Sequence, residues 1–188
     1  MSYIIHELSN WVISFAESQW AIAVLGFCSF MEAIIFPIPP DPLLIAIGIT
    51  QREIVIFLSL WVAITSVAGA IVGHWIGKRF GRPIIEWLGK YPLLDRFFSY
   101  EKVDKVERLF KRYGIWTILI AAITPLPYKV FAITAGILHM DRRSFIIASI
   151  IGRSVRFLTV GVLIALLGQE IESIISSNFE LITVGVGV

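Results

Sequence analysis

Two proline-rich breaks interrupt apolar runs that would otherwise form straight membrane helices. The first break contains Pro37, Pro39 and Pro40, which follow Phe36 and lead directly to Asp41. Proline removes a backbone donor and its ring clashes with the preceding turn, so a straight helix does not run through this segment. Non-helical backbone at membrane depth persists only where protein or a water-filled cavity covers it. This break therefore constrains the fold more than any other part of the chain.

The second break repeats the first in the other half of the sequence. At one constant offset, the matching pairs are Pro37 and Pro125, Pro39 and Pro127, Asp41 and Lys129, and Gly48 and Gly136. With Pro42, which follows Asp41, the two breaks hold six of the eight prolines. Apolar segments that are interrupted at corresponding positions of two halves are typical of transporter binding sites.

The composition indicates a single-domain integral membrane protein. Hydrophobic residues make up 57% of the 188 residues and charged residues 16%, and the mean hydropathy is +0.82. Soluble domains carry about a quarter charged residues. The net charge of +2 gives no indication of nucleic-acid binding.

No motif predicts a metal site, a cofactor or an enzyme. Cys28 is the single cysteine, and His6, His74 and His139 lack metal-ligand spacing. GxSxG, P-loop and HExxH motifs do not occur. We expect no metal, no cofactor and no catalytic activity.

The hydropathy pattern predicts an all-α polytopic membrane protein built from two repeats. The segments are an amphipathic N-terminal helix (1–19), the first repeat (20–77), a cytoplasmic amphipathic connector (78–113), the second repeat (114–168) and a C-terminal apolar helix (169–188). Each repeat is a helical hairpin around a proline break followed by a transmembrane helix, at residues 54–77 and 144–167.

Both hairpins are predicted to be re-entrant, and their orientation follows from the basic residues. The connector holds 10 of the 16 Lys and Arg residues, so the positive-inside rule places it in the cytoplasm. A re-entrant hairpin returns to its own side, so each repeat crosses the membrane once and successive repeats have opposite orientations. The hairpin tips, which carry Asp41 and Lys129, should then approach each other near the midplane. A full span followed by a loop is the alternative for residues 21–50. Residues 173–188 are expected to return across or into the membrane.

Two helix faces are predicted from residue spacing. In the connector, acid-before-base pairs at i,i+4 and an apolar face with Val103, Val106, Phe110 and Tyr113 indicate an amphipathic helix against the inner membrane surface. The pairs are Glu101–Lys105, Asp104–Arg108 and Glu107–Lys111. In the first span, Gly69, Gly73 and Gly77 repeat every fourth residue. They give a smooth face for close helix packing, either inside the chain or in a homo-oligomer.

Two acids lie in apolar surroundings, where an ionisable residue is a candidate for function. For Glu32 we predict proton coupling, since burial favours the protonated form of a carboxylate. The alternative is a helix-end carboxylate that is held by backbone donors or simply protonated. Asp41 is the second candidate for proton coupling; it also fits an N-cap of a helix that begins at Pro42.

Three cations are candidates for substrate binding. Lys129 begins the half-helix after the second break, where a cation is unfavourable unless an anion or a carboxylate joins it. The alternative for Lys129 is snorkelling to the cytoplasmic surface. Arg153 and Arg156 lie three residues apart on one face of the second span. They suit bidentate phosphate recognition, with salt bridges to Glu32 or Asp41 as the alternative. His74 is either a proton relay or a packed histidine.

The sequence resembles the DedA family, also known as the SNARE-associated or VTT domain. The resemblance runs over roughly residues 15–168 and is carried by short motifs: Phe30-Met31-Glu32, Phe36 to Asp41, the glycines from Gly69 to Gly81, Tyr113-Gly114, Pro125 to Lys129, and Ala135-Gly136 through to Gly152. It implies opposed re-entrant hairpins in a bacterial inner membrane. It also implies movement of a polyprenyl-phosphate carrier or a phospholipid that depends on the proton gradient.

The resemblance also implies roles for single residues, with one departure. Family members need acids that match Glu32 and Asp41 and two arginines around the second hairpin. Ile123-Thr124 stands where the first arginine would fall, and Lys129 replaces the second. Arg153 or Arg156 is the candidate to supply the missing charge.

From these features we predict a proton-coupled transporter that moves an anionic lipid headgroup between leaflets. Its partners would be membrane lipids and protons. The alternatives are an uncoupled lipid scramblase, an ion or small-solute transporter, and a membrane-assembly factor.

Overall fold

The computed structural model of the chain describes residues 18, 20–35, 39–91, 100–124 and 126–186, with side chains described up to Gly168 apart from those of Glu86 and Tyr100. Within these residues all regular structure is helical, which confirms the predicted helical class. The helices are α1 Ala21–Ile34, α2 Asp41–Thr50, α3 Val55–Phe80, α4 Pro83–Gly89, α5 Tyr100–Tyr113, α6 Trp116–Ile123, α7 Tyr128–Ile137 and α8 Arg142–Val186. The predicted N-terminal helix at residues 1–19, apart from Ser18, and the prolines Pro37 and Pro125 lie outside the described residues.

Among the helices that the structure describes, two are long and apolar enough to cross a membrane. A 3₁₀ turn at Arg52–Ile54 leads into α3, and Arg52–Phe80 forms 29 helical residues whose most apolar 18-residue stretch has a mean hydropathy of 2.4. The first part of α8, Arg142–Gly168, has 27 residues, and its most apolar 18-residue stretch has a mean hydropathy of 1.9. About 20 apolar residues span a bilayer core. These helices coincide with the two spans predicted from the sequence.

The other apolar helices are short and form two pairs, α1 with α2 and α6 with α7. They contain 14, 10, 8 and 10 residues. At about 1.5 Å per residue, none is close to the roughly 30 Å of a bilayer core. Pro40 immediately precedes α2 and Pro127 immediately precedes α7, so the prolines mark the start of the second helix in each pair. Proline favours this place because it lacks the N–H that a first turn leaves unpaired.

Helix α3 is the centre of the bundle and packs against α1, α7 and α8. Its glycines allow backbones to touch. A Cβ at Gly69 would collide with the carbonyl oxygen of Phe30 in α1, and a Cβ at Gly77 would collide with that of Ile133 in α7. The glycine face is therefore used inside the chain, which decides between the two alternatives that the sequence leaves open.

The connector helix α5 differs from its prediction in where its apolar face lies. Val103 and Val106 are buried in an apolar cluster with Ile118 and Tyr128. The prediction that this face rests on the membrane surface is wrong for these valines, because α7 and its neighbours cover them.

The predicted ion pairs of α5 are only partly found. Lys105 donates to Glu101 at 2.8 Å, and this hydrogen bond holds the pKa of Glu101 below its ordinary value. Asp104 and Glu107 instead pair with Arg82 near the start of α4, at 3.5 and 2.7 Å. Their predicted pairing within α5 is wrong because another helix presents a guanidinium to the same face.

The C-terminal segment also differs from its prediction. Helix α8 continues from Arg142 to Val186, whereas the sequence predicts that residues 173–188 turn back towards the membrane. Residues 142–186 contain no proline. Glycine alone costs a helix only about 1 kcal/mol, so nothing local ends α8.

We expect Gly77→Ala to destabilise the protein by about 1–3 kcal/mol, the usual cost of overpacking a tight contact. The carbonyl of Ile133 belongs to a helix backbone and cannot move aside as a side chain would. The measurement is thermal unfolding of the purified protein in detergent. Gly73→Ala is the matched control, because its Cβ would meet Ala33 and Ala132 at ordinary distances of 3.6 and 3.7 Å. Equal loss of stability in both variants would contradict this account.

Candidate functional site

A cavity of about 300 Å³ lies where the two short helix pairs meet α8. It is lined by the ends of α1, α2 and α7 and by the middle of the apolar part of α8, Arg142–Gly168. The lining residues are Glu32, Pro39, Pro40, Asp41, Leu126, Pro127, Lys129, Arg153, Arg156 and Phe157. All five charged candidates from the sequence are in this set. We call it the central cavity.

Two helix N-termini line the central cavity. Helix α2 begins at Asp41 and helix α7 at Tyr128, and the prolines before each are part of the cavity wall. The first N–H groups of a helix have no partner inside the helix, and the helix dipole places partial positive charge there. The proposed N-cap role of Asp41 is not found: α2 starts at Asp41 itself, and no side chain makes a capping hydrogen bond.

Two ion pairs connect α8 to the first helix pair. Arg156 Nη2 lies 2.9 Å from Asp41 Oδ2, and Arg153 Nη2 lies 3.5 Å from Glu32 Oε2. The salt bridges that the sequence left as an alternative are therefore present. The Arg156 pair has hydrogen-bond length, whereas the Arg153 pair is long.

Arg156 also reaches the second helix pair. Its Nη1 donates to the carbonyl oxygen of Thr124 at 3.4 Å. One guanidinium thus contacts both Asp41 at the first break and Thr124 at the second. Thr124 lies at the position, Ile123-Thr124, where the resemblance to the DedA family predicts an arginine that this sequence lacks.

Arg153 is held by aromatic rings and is almost fully buried, with 1% exposure. Its Cζ lies 4.3 Å from the ring centroid of Tyr128 and 5.6 Å from that of Phe157. Arginine over an aromatic face gains a cation–π attraction, which is larger where water is excluded. The Nε atom has no hydrogen-bond partner in the described part of the chain. Its hydrogen bonding is therefore incomplete in this arrangement.

Tyr128, Ser149 and Phe157 are residues that sequence reasoning missed. The hydroxyl groups of Tyr128 and Ser149 are 2.5 Å apart, and Ser149 donates to the carbonyl of Phe145 at 2.6 Å. This chain of hydrogen bonds fixes the tyrosine ring under Arg153. The one available clue was the position of Tyr128 directly before Lys129.

Lys129 and His74 both lie inside the protein but in different places. Lys129 is 2% exposed and lines the central cavity, so the alternative in which it snorkels to the surface is wrong. His74 does not line this cavity. Its ring stacks on Phe145 at 4.6 Å, and its Nε2 lies 3.2 Å from the Met140 carbonyl.

The charges of the central cavity favour an anion. Three cationic side chains face two carboxylates, and the two helix N-termini add positive potential. The electrostatics of the cavity are therefore complementary to an anionic group. No group of three potential metal ligands occurs among the described residues.

We expect a double-mutant cycle between Asp41 and Arg156 to show coupling. Asp41→Asn or Arg156→Gln alone leaves an unpaired, partly buried charge, which should cost about 1–3 kcal/mol after allowance for partial exposure. The double variant should lose less stability than the two single losses together. The measurement is the unfolding midpoint in detergent. The exposed pair Glu101 and Lys105 is the control and should show only the weak coupling of a surface pair, about 0.5 kcal/mol or less. Additive losses at Asp41 and Arg156 would contradict a stabilising ion pair between α2 and α8.

Comparisons with known proteins identify a domain family and related sequences. The sequence model of the VTT domain matches residues 38–166. A protein of Haemophilus influenzae (strain Rd), described as uncharacterized, is 30% identical over 170 residues, which cover 90% of this chain and 85% of the relative. No solved structure is similar enough to count as a match.

Two relatives come from Bacillus subtilis (strain 168). Undecaprenyl phosphate transporter A is 24% identical over 181 residues, which cover 93% of this chain and 84% of the relative. The uncharacterized membrane protein YbfM is 26% identical over 160 residues, with 79% and 96% covered. With the domain match over most of the chain and relatives that span nearly all of it, this membrane protein belongs to the VTT-domain family, the DedA family.

Proposed function

We propose that this protein moves an anionic lipid headgroup between the two leaflets of a bacterial inner membrane, coupled to protons. The cargo would be a polyprenyl-phosphate carrier or a phospholipid. The observation that carries the proposal is the central cavity, where two helix N-termini, three cations and two carboxylates converge. The name of the relative in Bacillus subtilis, undecaprenyl phosphate transporter A, supports the same class of cargo.

The cations would hold the phosphate of the headgroup. Arginine offers a planar fork of donors that matches phosphate oxygens, and lysine adds a compact charge. Arg153 and Arg156 lie at one wall of the cavity with Lys129 in the same lining. The contact between Arg156 and the Thr124 carbonyl supports Arg156 as the substitute for the arginine that is missing beside it.

The two ion pairs suggest how protons and phosphate would be coupled. In the present arrangement, Glu32 and Asp41 accept from the guanidinium groups that a phosphate would need. Protonation neutralises a carboxylate and releases its arginine to the ligand. Proton binding and phosphate binding would then favour each other, and this coupling is reciprocal. The proton and the lipid would move in the same direction.

The short helix pairs would supply the movement. We propose that α1 with α2 and α6 with α7 are re-entrant hairpins that enter from opposite faces, and that the connector at residues 78–113 is cytoplasmic. Discontinuous helices whose N-termini point at an anionic substrate are a recurrent transporter design. Rocking of one repeat against the other would open the central cavity to each leaflet in turn.

We expect purified protein in vesicles to move a labelled polyprenyl phosphate or an anionic phospholipid faster when a pH gradient is applied. Lys129→Ala should reduce the flux at least about tenfold, because one charge-assisted contact to phosphate is worth about 1.5–3 kcal/mol. Glu32→Gln and Asp41→Asn should remove the dependence on the gradient. The measurement is leaflet exposure of the labelled lipid, and Lys105→Gln, a change on the exposed face of α5, is the control.

Three other outcomes would replace the proposal. Lipid flux that stays the same without the pH gradient and in the variants Glu32→Gln and Asp41→Asn would identify an uncoupled scramblase. Flux of an ion or small solute without lipid movement would identify a solute transporter. Absence of flux in protein shown to be folded would overturn the transport proposal and favour an assembly role.

A further inference from the structure

A second cavity, of about 350 Å³, lies at the C-terminal end of α3 beside the start of α8. Its lining is Ile71, His74, Trp75, Lys78, Arg79 and Arg142. It shares no residue with the central cavity. We propose that this second cavity is a fixed binding site for an anionic phospholipid of the adjacent leaflet, separate from the transport path.

The charge of the second cavity is the first argument. Lys78, Arg79 and Arg142 line it, and no acid is among the described residues of the lining. Within the part of the chain that the structure describes, no ion pair joins these cations to a carboxylate. Three cations that share one concave space repel each other unless an anion joins them, so the site is complementary to phosphate.

Asp141 is the acid beside this group, and it has another role. Its Oδ2 accepts from the backbone N–H and the hydroxyl of Ser144, both at 2.9 Å. These hydrogen bonds cap the start of α8 and keep the pKa of Asp141 below its ordinary value. Its negative charge therefore stabilises the helix start, and the carboxylate is not part of the cavity lining.

The order of residues along α3 argues for a lipid and against a free phosphate. Ile71, Trp75 and Lys78 lie on one face of the helix, at i, i+4 and i+7. That face changes from apolar to cationic in under two turns, as a lipid changes from acyl chain to headgroup. Trp75 is 58% exposed and packs edge-on against Phe80. Tryptophan is enriched at the membrane interface, where headgroups lie.

The wall of the second cavity is rigid enough to be a site. His74 is buried, and its ring stacks on Phe145 of α8. The Nε2 of His74 lies within hydrogen-bond distance of the Met140 carbonyl. The backbone carbonyl of His74 lies so close to Gly136 of α7 that a Cβ at Gly136 would collide with it. The cations therefore project from helices that are fixed against each other. Basic pockets between transmembrane helices are known to bind anionic headgroups.

The test is binding of phosphatidylglycerol and phosphatidylcholine to the full chain in neutral detergent, followed by native mass spectrometry. We expect phosphatidylglycerol to bind more tightly than phosphatidylcholine. Removal of each cation should weaken binding about fivefold, so the variant Lys78→Gln/Arg79→Gln/Arg142→Gln should lose the preference. Arg143→Gln, next to Arg142 but outside the lining, should keep it.

Two further arms keep the result decisive. Inorganic phosphate at the same concentration should not displace the lipid; displacement would identify a site for the free ion and overturn the lipid assignment. A photoreactive phosphatidylglycerol should label the wild-type peptide that contains Trp75 and Arg79, which avoids any folding defect of the triple variant. Labelling only around the central cavity would overturn the proposal. Because this site shares no residue with the central cavity, a failure of the flux experiment would not contradict the proposed lipid site.

Discussion

Compensation of buried charge is the constraint on which the rest of this bundle depends. Arg153 and Arg156 of α8 lie in a helix that is apolar enough to cross a membrane, where an isolated charge costs several kcal/mol. Their pairs with Glu32 and Asp41 bring α1, α2 and α8 together. The same pairs define one wall of the central cavity. Charges that would be unfavourable singly are held as a group at the point where the helices break.

Close backbone contact makes this arrangement possible. Four apolar helices of the described bundle, α1, α2, α6 and α7, are too short to span a membrane, and they need support from a longer helix. Helix α3 provides it, because Gly69 and Gly77 let α1 and α7 approach to backbone contact. Each short pair is thereby held against α3, and the start of α7 is directed into the central cavity. The glycine face holds the short helices in place, and the proline breaks place the ends of these helices at the central cavity.

The sequence predicted the helical class, the two long helices and the place of the breaks, since these depend on local chemistry. Its errors share a cause. Asp104 and Glu107 were paired within α5 because helix spacing allowed it, yet Arg82 offers the same acids a guanidinium from another segment. Val103 and Val106 were assigned to the membrane surface because an amphipathic face does not reveal what covers it. The role of Tyr128 was missed because it depends on contact between the tyrosine ring and Arg153, which is distant in the sequence.

The sequence by itself determined that this is a membrane protein, where its helices break and which charged residues lie in apolar surroundings, because composition, proline and hydropathy act within a few residues. The tertiary structure alone decided which cation pairs with which acid and that all five charged candidates face one cavity. The partners in those pairs are 115 and 121 positions apart in the chain. Coulomb attraction depends on distance in space, and only the packing of helices around α3 sets that distance.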